Sequence, residues 1–382
     1  MSGLLPRYDQ SMMAAYGLPP LVLSRGEGVT VWDTEGNSYL DLDSGGGVTS
    51  LGHKHPKLRA ALSAQADKIL HVANVYATEP QVALAERLQE CLSDEGYLGA
   101  TARVFFSNSG SEAMESALKL ARLHKPHGRI LTLNRSYHGR TMGALSLADH
   151  ASRSPYEPLV GGIEVLDNAS ELAQAFADDV AGCVIDVHHG RSIERLSDEE
   201  LGRIRDLCDR YGALLIVDES LSGVGRTGRW FAHTPRVVAD VITLARGLGG
   251  GVPIGVTIGF QTAGRLIQRG MESSATGGSP LATAAGLSVV ENIKPLLPHV
   301  ALTGAWLKQE LITLGYEVQG EGLMLSIDIA DAYDAERELR ERGFLVSATS
   351  NERIRLLPPL IITREELIPF VRAMGEMQET KL

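Results

Sequence analysis

Val104-Phe-Phe-Ser-Asn-Ser-Gly-Ser-Glu-Ala113 reads as an apolar β-type run that stops in small polar residues and continues as a helix through Lys119 and Arg122. A strand that feeds a helix in this way is the building unit of a parallel sheet. The same grammar recurs downstream. Apolar β-rich runs stand at Ile130–Leu133, Cys183–Asp186, Leu214–Asp218 and Ile254–Phe260, with helical patterns between several of them. The clearest helix is Ser197–Tyr211. Ser197 and Glu200 form an S-x-x-E capping box there, and Leu201, Ile204, Leu207, Cys208 and Tyr211 share one face. Strands alternating with helices predict an α/β fold whose mainly parallel sheet is covered on both sides.

On either side of this core the pattern changes. Upstream, Val-Thr-Val-Trp-Asp and Ser-Tyr-Leu-Asp-Leu flank a Glu-Gly-Asn turn and predict a β-hairpin. Beyond about residue 280 a long helical stretch precedes short strands at Met324–Asp328, Phe344–Ser347 and Ile354–Leu357. A final helix opens at Thr363-x-x-Glu366. The expected organisation is an N-terminal segment (1–50) joining a smaller α+β domain (286–382), around a large domain (51–285).

The 382 residues carry a net charge of −11, 44% hydrophobic and 22% charged residues. These values suit a folded globular chain and argue against nucleic acid or an anionic membrane as partner. Small anionic ligands stay open, because a few arginines and backbone amides bind them whatever the global charge. Cys91, Cys183 and Cys208 form no CxxC pair, which fits a reducing compartment and gives no metal motif. No signal-peptide pattern and no 18-residue apolar run is visible, so a cytoplasmic protein is expected.

Four segments carry candidate chemistry. Ser-Asn-Ser-Gly-Ser, with Gly110 and Ser111, reads either as a phosphate cradle at a helix N-terminus or as a plain helix cap. Asn134-Arg-Ser-Tyr-His-Gly-Arg-Thr141 supplies an aromatic ring, Tyr137, and a titratable His138. By itself it reads best as a surface loop. Asp218 ends an apolar strand, where ligands of open α/β sheets bind, or else caps the loop that follows. Thr243-Leu-Ala-Arg-Gly-Leu-Gly-Gly-Gly-Val-Pro-Ile-Gly255 demands an unusual backbone path, functional or structural.

In order, spacing and wording these segments resemble class III (acetylornithine/ornithine-type) aminotransferases, which use pyridoxal phosphate (PLP) and have fold type I. Leu51-Gly-His-Lys-His-Pro56, Gly223-Val-Gly-Arg-Thr-Gly228 and Ile354-Arg-Leu-Leu-Pro-Pro-Leu360 extend the likeness over nearly the whole chain. The resemblance implies that Gly110 and Ser111 face the cofactor phosphate, Tyr137 and His138 the ring, Asp218 the ring nitrogen, and Arg355 a substrate carboxylate. It also implies a homodimer and an amino-acid substrate.

Against the family's wording the chain departs at four places. Arg246 stands where the family has the Schiff-base lysine. Leu221 stands for a glutamine beside the ring hydroxyl, Arg191 for a glutamate near substrate, and Ala275 for a threonine that reaches the phosphate across the dimer. A guanidinium stays protonated and is a poor nucleophile. The expectation is therefore a protein without normal transaminase chemistry, holding PLP or pyridoxamine phosphate noncovalently if at all. Alternatives are a noncovalent-cofactor enzyme using His138, His188 or His189, residual transamination, or an inactive subunit serving an active homologue.

Overall fold

The computed structural model describes residues 3–97, 99, 101–190 and 192–379. A seven-stranded sheet forms its centre, in the order Ala102–Ser107, Gly255–Phe260, Val241–Leu244, Leu214–Asp218, Val180–Ile185, Arg129–Leu133 and Ile163–Leu166. Gly255–Phe260 runs antiparallel to both its neighbours, and the remaining pairs are parallel. Six carboxyl ends therefore open on one edge. The inner strands Val180–Ile185 and Leu214–Asp218 are buried at every position, which explains why they read as unbroken apolar runs rather than alternating ones.

Helices cover both faces. Gly110–His124 buries Ala113, Met114, Ala117, Leu118, Leu120 and Ala121. Asp198–Tyr211 begins with the predicted capping box, both reciprocal bonds being present, and stops at Gly212 in the left-handed conformation. The predicted hairpin forms between Thr30–Asp33 and Ser38–Asp41. It lies in a four-stranded sheet whose fourth member, Phe344–Leu345, pairs parallel with Ser38–Asp41. A second four-stranded sheet takes Glu317–Glu321, Met324–Asp328, Arg353–Leu356 and Ser347–Ser350.

The loop 134–141 corrects one expectation. It is not a surface loop: Ser136 and His138 are only 2% and 3% exposed. Asp186 and Asp218, each beyond or at a strand end, draw these polar side chains inward.

Candidate cofactor-type pocket at the strand ends

A cavity of about 190 Å³ opens at the carboxyl edge of the central sheet. Five chain segments that each leave a strand of the sheet deliver its walls, as the crevice rule for open α/β sheets requires. Gly110 and Ser111 come from the start of the helix after Ala102–Ser107. Tyr137 and His138 follow Arg129–Leu133, and Asp186 and His188 follow Val180–Ile185. Asp218 and Leu221 come with Leu214–Asp218, and Arg246 follows Val241–Leu244.

The wall at the helix start is tight. A Cβ on Gly110 would stand 3.0 Å from Ser220 Oγ and 3.3 Å from the Ala245 Cβ, so glycine is what allows the helix end to approach this closely. Ser109 caps the helix by accepting from Glu112 N, and Ser111 Oγ accepts from Arg140 N. The positive end of a fifteen-residue helix thus faces the cavity.

Asp218 is the best-supported group. Its Oδ1 accepts from Ser220 N (2.9 Å) and Thr243 Oγ1 (2.8 Å), and its Oδ2 lies 2.8 Å from His138 Nδ1. Burial pulls the His138 ring toward its neutral form, but the bond to Asp218, with the charges of Asp218 and Asp186, outweighs it and raises the pKa. Asp186 shows the converse. Burial alone would raise its pKa, yet His189 at 3.6 Å, His138 and Ser136 together hold the carboxyl below its ordinary value.

Several polar atoms on these walls are buried and have no hydrogen-bond partner among the described residues. They are Ser220 Oγ, His138 Nε2 and both ring nitrogens of His188. Unsatisfied buried groups converging on one cavity mark the place of a polar ligand. His188, 2% exposed, has its pKa pushed down by burial to about 4. Because the unfolded ring titrates near 6.5, the unfolded state binds more protons between those values, and stability falls as pH drops from about 6.5 to about 4. The loss assigned to this ring is on the order of 3 kcal/mol. His188→Leu is expected to flatten the pH dependence in that window relative to the unaltered chain, read by urea unfolding at a series of pH values. Parallel curves for the two proteins would refute it.

Arg246 sits at the start of a short 3₁₀ turn, Arg246–Gly249, with φ +42°. A non-glycine residue in that region carries strain of roughly 1–3 kcal/mol. Its Nη1 donates to Gly46 O (2.7 Å), and its guanidinium carbon stands 6.0 Å from the Tyr137 ring centroid. Among the described residues no lysine lines the cavity. Lys119 is on the far part of its helix, paired with Glu272.

Leu221 reaches the same cavity and packs on an apolar group of Ile193, Met324 and Leu357. Arg355 stands behind Gly190, to whose carbonyl its Nη1 donates at 3.3 Å. Ala275 is exposed and lines a separate depression with Asn108 and Glu112, not this cavity. Arg191 lies outside the described residues. Residues missed by sequence reading are Ser220, Asp43 and Gly46. The glycine run after Asp43 was the available signal, since Gly45, Gly46 and Gly47 all have positive φ.

Residues 12–377 match the family model for aminotransferase class-III. The chain is 39% identical to the acetylornithine aminotransferase of Mycolicibacterium smegmatis, over 99% of this chain and 98% of that protein. It is 37% identical to that of Aquifex aeolicus, over 96% and 99%. Among solved structures, the ornithine aminotransferase of Toxoplasma gondii superposes with a TM-score of 0.92 at 28% identity, covering 98% of this chain and 94% of that one. The N-acetylornithine aminotransferase of Stenotrophomonas maltophilia gives 0.82 at 30% identity, covering 99% of both chains.

Proposed function

Because the chain belongs to the class III aminotransferase family, we propose that it is an acetylornithine-aminotransferase-like protein that has kept the cofactor pocket and lost covalent capture of the cofactor. The observation that carries this reading is the occupant of the pocket wall. A guanidinium, engaged with Gly46 O, stands beside Tyr137 and Asp218, and no lysine among the described residues reaches the cavity.

The residues present fit the ring and phosphate of PLP. Ser220 Oγ is an orphaned buried hydroxyl next to Gly110, and the helix N-terminus with Ser111 suits a phosphate. Asp218 is the carboxylate for a protonated ring nitrogen, and Tyr137 the aromatic neighbour. When bound, PLP supplies an aldehyde and an electron sink for amino-group transfer. Arg246 does not supply the matching amine. Burial lowers its pKa, with Tyr137, Asp218 and Asp43 opposing that trend, but a guanidinium remains a cation at neutral pH and neither attacks a carbonyl nor carries a proton back and forth. His138 keeps its proton on the Asp218 side. His188, held neutral by burial and with both nitrogens lacking a hydrogen-bond partner among the described residues, is the histidine free to meet a ligand, and its pKa of about 4 makes it a weak base.

The reading therefore has two forms: a binding or regulatory pseudoenzyme, and an enzyme on noncovalently held PLP or pyridoxamine phosphate that uses His188. The orphaned ring of His188 favours the second form. Titration of the purified protein with PLP is expected to give a dialysable complex and no borohydride-stable adduct. A cofactor mass retained on any lysine after reduction would end the proposal.

We further propose a cytoplasmic homodimer that takes an amino acid or another small anion. The three cysteines are free and buried, and among the described residues no helix is long and apolar enough to cross a membrane. Met13, Tyr16, Val75 and Tyr76 are 69–92% exposed in the single chain, an apolar surface of the kind that subunits bury. Sedimentation at micromolar concentration is expected to show a dimer; a monomer there would sink this assignment. Pairing with an active homologue is the weaker form, because Ala275 offers a partner no hydroxyl.

A further inference from the structure

The cavity walls are lopsided in what they offer a ligand. Arg246 lines the cavity, and among the described residues its guanidinium makes one hydrogen bond and no ion pair. That bond runs from Nη1 to the neutral carbonyl of Gly46 at 2.7 Å. A guanidinium carries several more N–H donors, which are left for whatever fills the space. His138 Nε2 and Ser220 Oγ line the same cavity, buried and without a hydrogen-bond partner. The start of the helix Gly110–His124 adds backbone N–H groups with no intrahelical partner.

The acceptors, by contrast, are mostly taken. Asp218 Oδ1 accepts from Ser220 N and Thr243 Oγ1, and Oδ2 faces His138 Nδ1. The lone pair left on Oδ2 is the place for a ring N–H. Asp186 is spent on Ser136 Oγ at 2.7 Å and Gly190 N at 2.9 Å, with His189 at 3.6 Å. Against burial, the bond to Asp218 raises the pKa of His138, so this ring adds to the positive character of the wall. Inside a cavity of about 190 Å³ there is no room for the counter-ions that would screen these charges. The Arg246 guanidinium carbon also stands 6.0 Å from the Tyr137 ring centroid, so a flat ligand on Tyr137 brings its substituents close to that cation.

We propose that Arg246 makes this cavity select against amines: it takes a phosphorylated pyridine ring bearing an oxygen substituent, as alcohol or aldehyde, and disfavours the same ring bearing an aminomethyl group. The two ligands differ by an ammonium. That group brings more donors and a like charge to a wall that is rich in both and short of open carboxylates, and it loses its water in doing so. A hydroxyl or carbonyl oxygen instead accepts from the guanidinium, in a charge-assisted hydrogen bond. On this view Arg246 is a specificity-determining residue in its own right and not merely a missing lysine. The inference rests on the reading of the cavity as a cofactor pocket and narrows it, since of the two cofactor forms it leaves the oxygen-bearing one.

Cofactor-free full-length protein is titrated calorimetrically with pyridoxine 5′-phosphate and with pyridoxamine 5′-phosphate, neither of which carries a carbonyl. The alcohol is expected to bind about 10-fold or more tighter than the amine. Arg246→Gln and Arg246→Met remove the charge in two different shapes, and each is expected to narrow that ratio to about 3-fold or less. Comparing ratios between proteins cancels whatever the two compounds differ by in water. Circular dichroism and thermal melting establish that each variant is folded. An amine that binds the unaltered chain as tightly as the alcohol overturns the inference and leaves the cofactor-pocket reading standing. A ratio left unchanged by a folded Arg246 variant overturns it equally. If neither compound binds, the cofactor-pocket reading falls and takes this inference with it.

Discussion

Arg246→Lys, saturated with PLP and reduced with borohydride, is expected to retain one cofactor mass on the introduced lysine, where the unaltered chain retains none. The position is prepared for this gain. Asp218 is held by three hydrogen-bonding groups and Tyr137 lines the same wall, so the ring would be polarised and placed without further change. A desolvated amine in such a wall deprotonates far more readily than a guanidinium. Turnover is not expected to follow. Leu221 offers no amide to a ring hydroxyl, and Ala275 offers no hydroxyl to a phosphate; each missing bond costs on the order of 1–3 kcal/mol. Together that weakens cofactor affinity by roughly 10- to 10⁴-fold at about 1.4 kcal/mol per decade.

Adding Leu221→Gln and Ala275→Thr is therefore expected to tighten PLP binding by a comparable factor. The two additions differ in what they need. Leu221 lines this chain's own cavity, while Ala275 does not, so the threonine is expected to help only if a second subunit brings it to the site. Leu221→Gln also gives up packing on Ile193, Met324 and Leu357, a loss on the order of 1 kcal/mol of stability. The measurements are PLP affinity by absorbance and half-transamination of N-acetylornithine. Should the unaltered chain transaminate at a rate near that of the triple variant, the loss-of-capture reading is wrong.

Glu219→Ala is expected to lower the stability of the fold by about 3 kcal/mol or more, because it leaves the buried partners of the carboxylate unsatisfied at a cost of roughly 1–3 kcal/mol each. Glu219 and His233 are both 0% exposed, with Oε1 2.7 Å from Nδ1 and also accepting from His233 N. Ser222 Oγ donates to Oε2. Tyr97 Oη stands 2.6 Å from His233 Nε2 and accepts from Ala239 N. Burial would raise the Glu219 pKa, but these partners, His233 foremost, hold the carboxyl below its ordinary value. The network matters to the site because Glu219 directly follows Asp218 and accepts from Ser222 Oγ through Oε2 and from Gly223 N through its backbone carbonyl, which braces the turn that presents Leu221. Urea unfolding of Glu219→Ala and Glu219→Gln decides the matter, the glutamine variant retaining part of the hydrogen bonding. A change below about 1 kcal/mol in the alanine variant would show the network to be dispensable.

The α/β alternation, the hairpin and both capping boxes were legible because each is written within a few residues. Thr363 and Glu366 exchange the same reciprocal bonds as Ser197 and Glu200, and no distant contact is required to see it. Val241–Leu244 and Ile163–Leu166 were not legible as strands: each is four residues long and interrupted, by Thr243 or by Glu164, and so short a stretch carries no period that separates strand from helix. The family wording identified the pocket segments, since Gly110, Tyr137, Asp218, Leu221 and Arg246 each lie in a motif at a strand end.

What the sequence by itself determined is thus the fold class and the family, and through the resemblance it raised the expectation that Arg246 stands in the lysine's place. The tertiary structure alone decided what surrounds that residue. His138 against Asp218 and Arg355 beside Asp43 join side chains 80 and 312 positions apart, and burial leaves the ring nitrogens of His188 without a hydrogen-bond partner among the described residues. Charge and solvation energies depend on distance in space and on the exclusion of water, and neither quantity is carried by local sequence order.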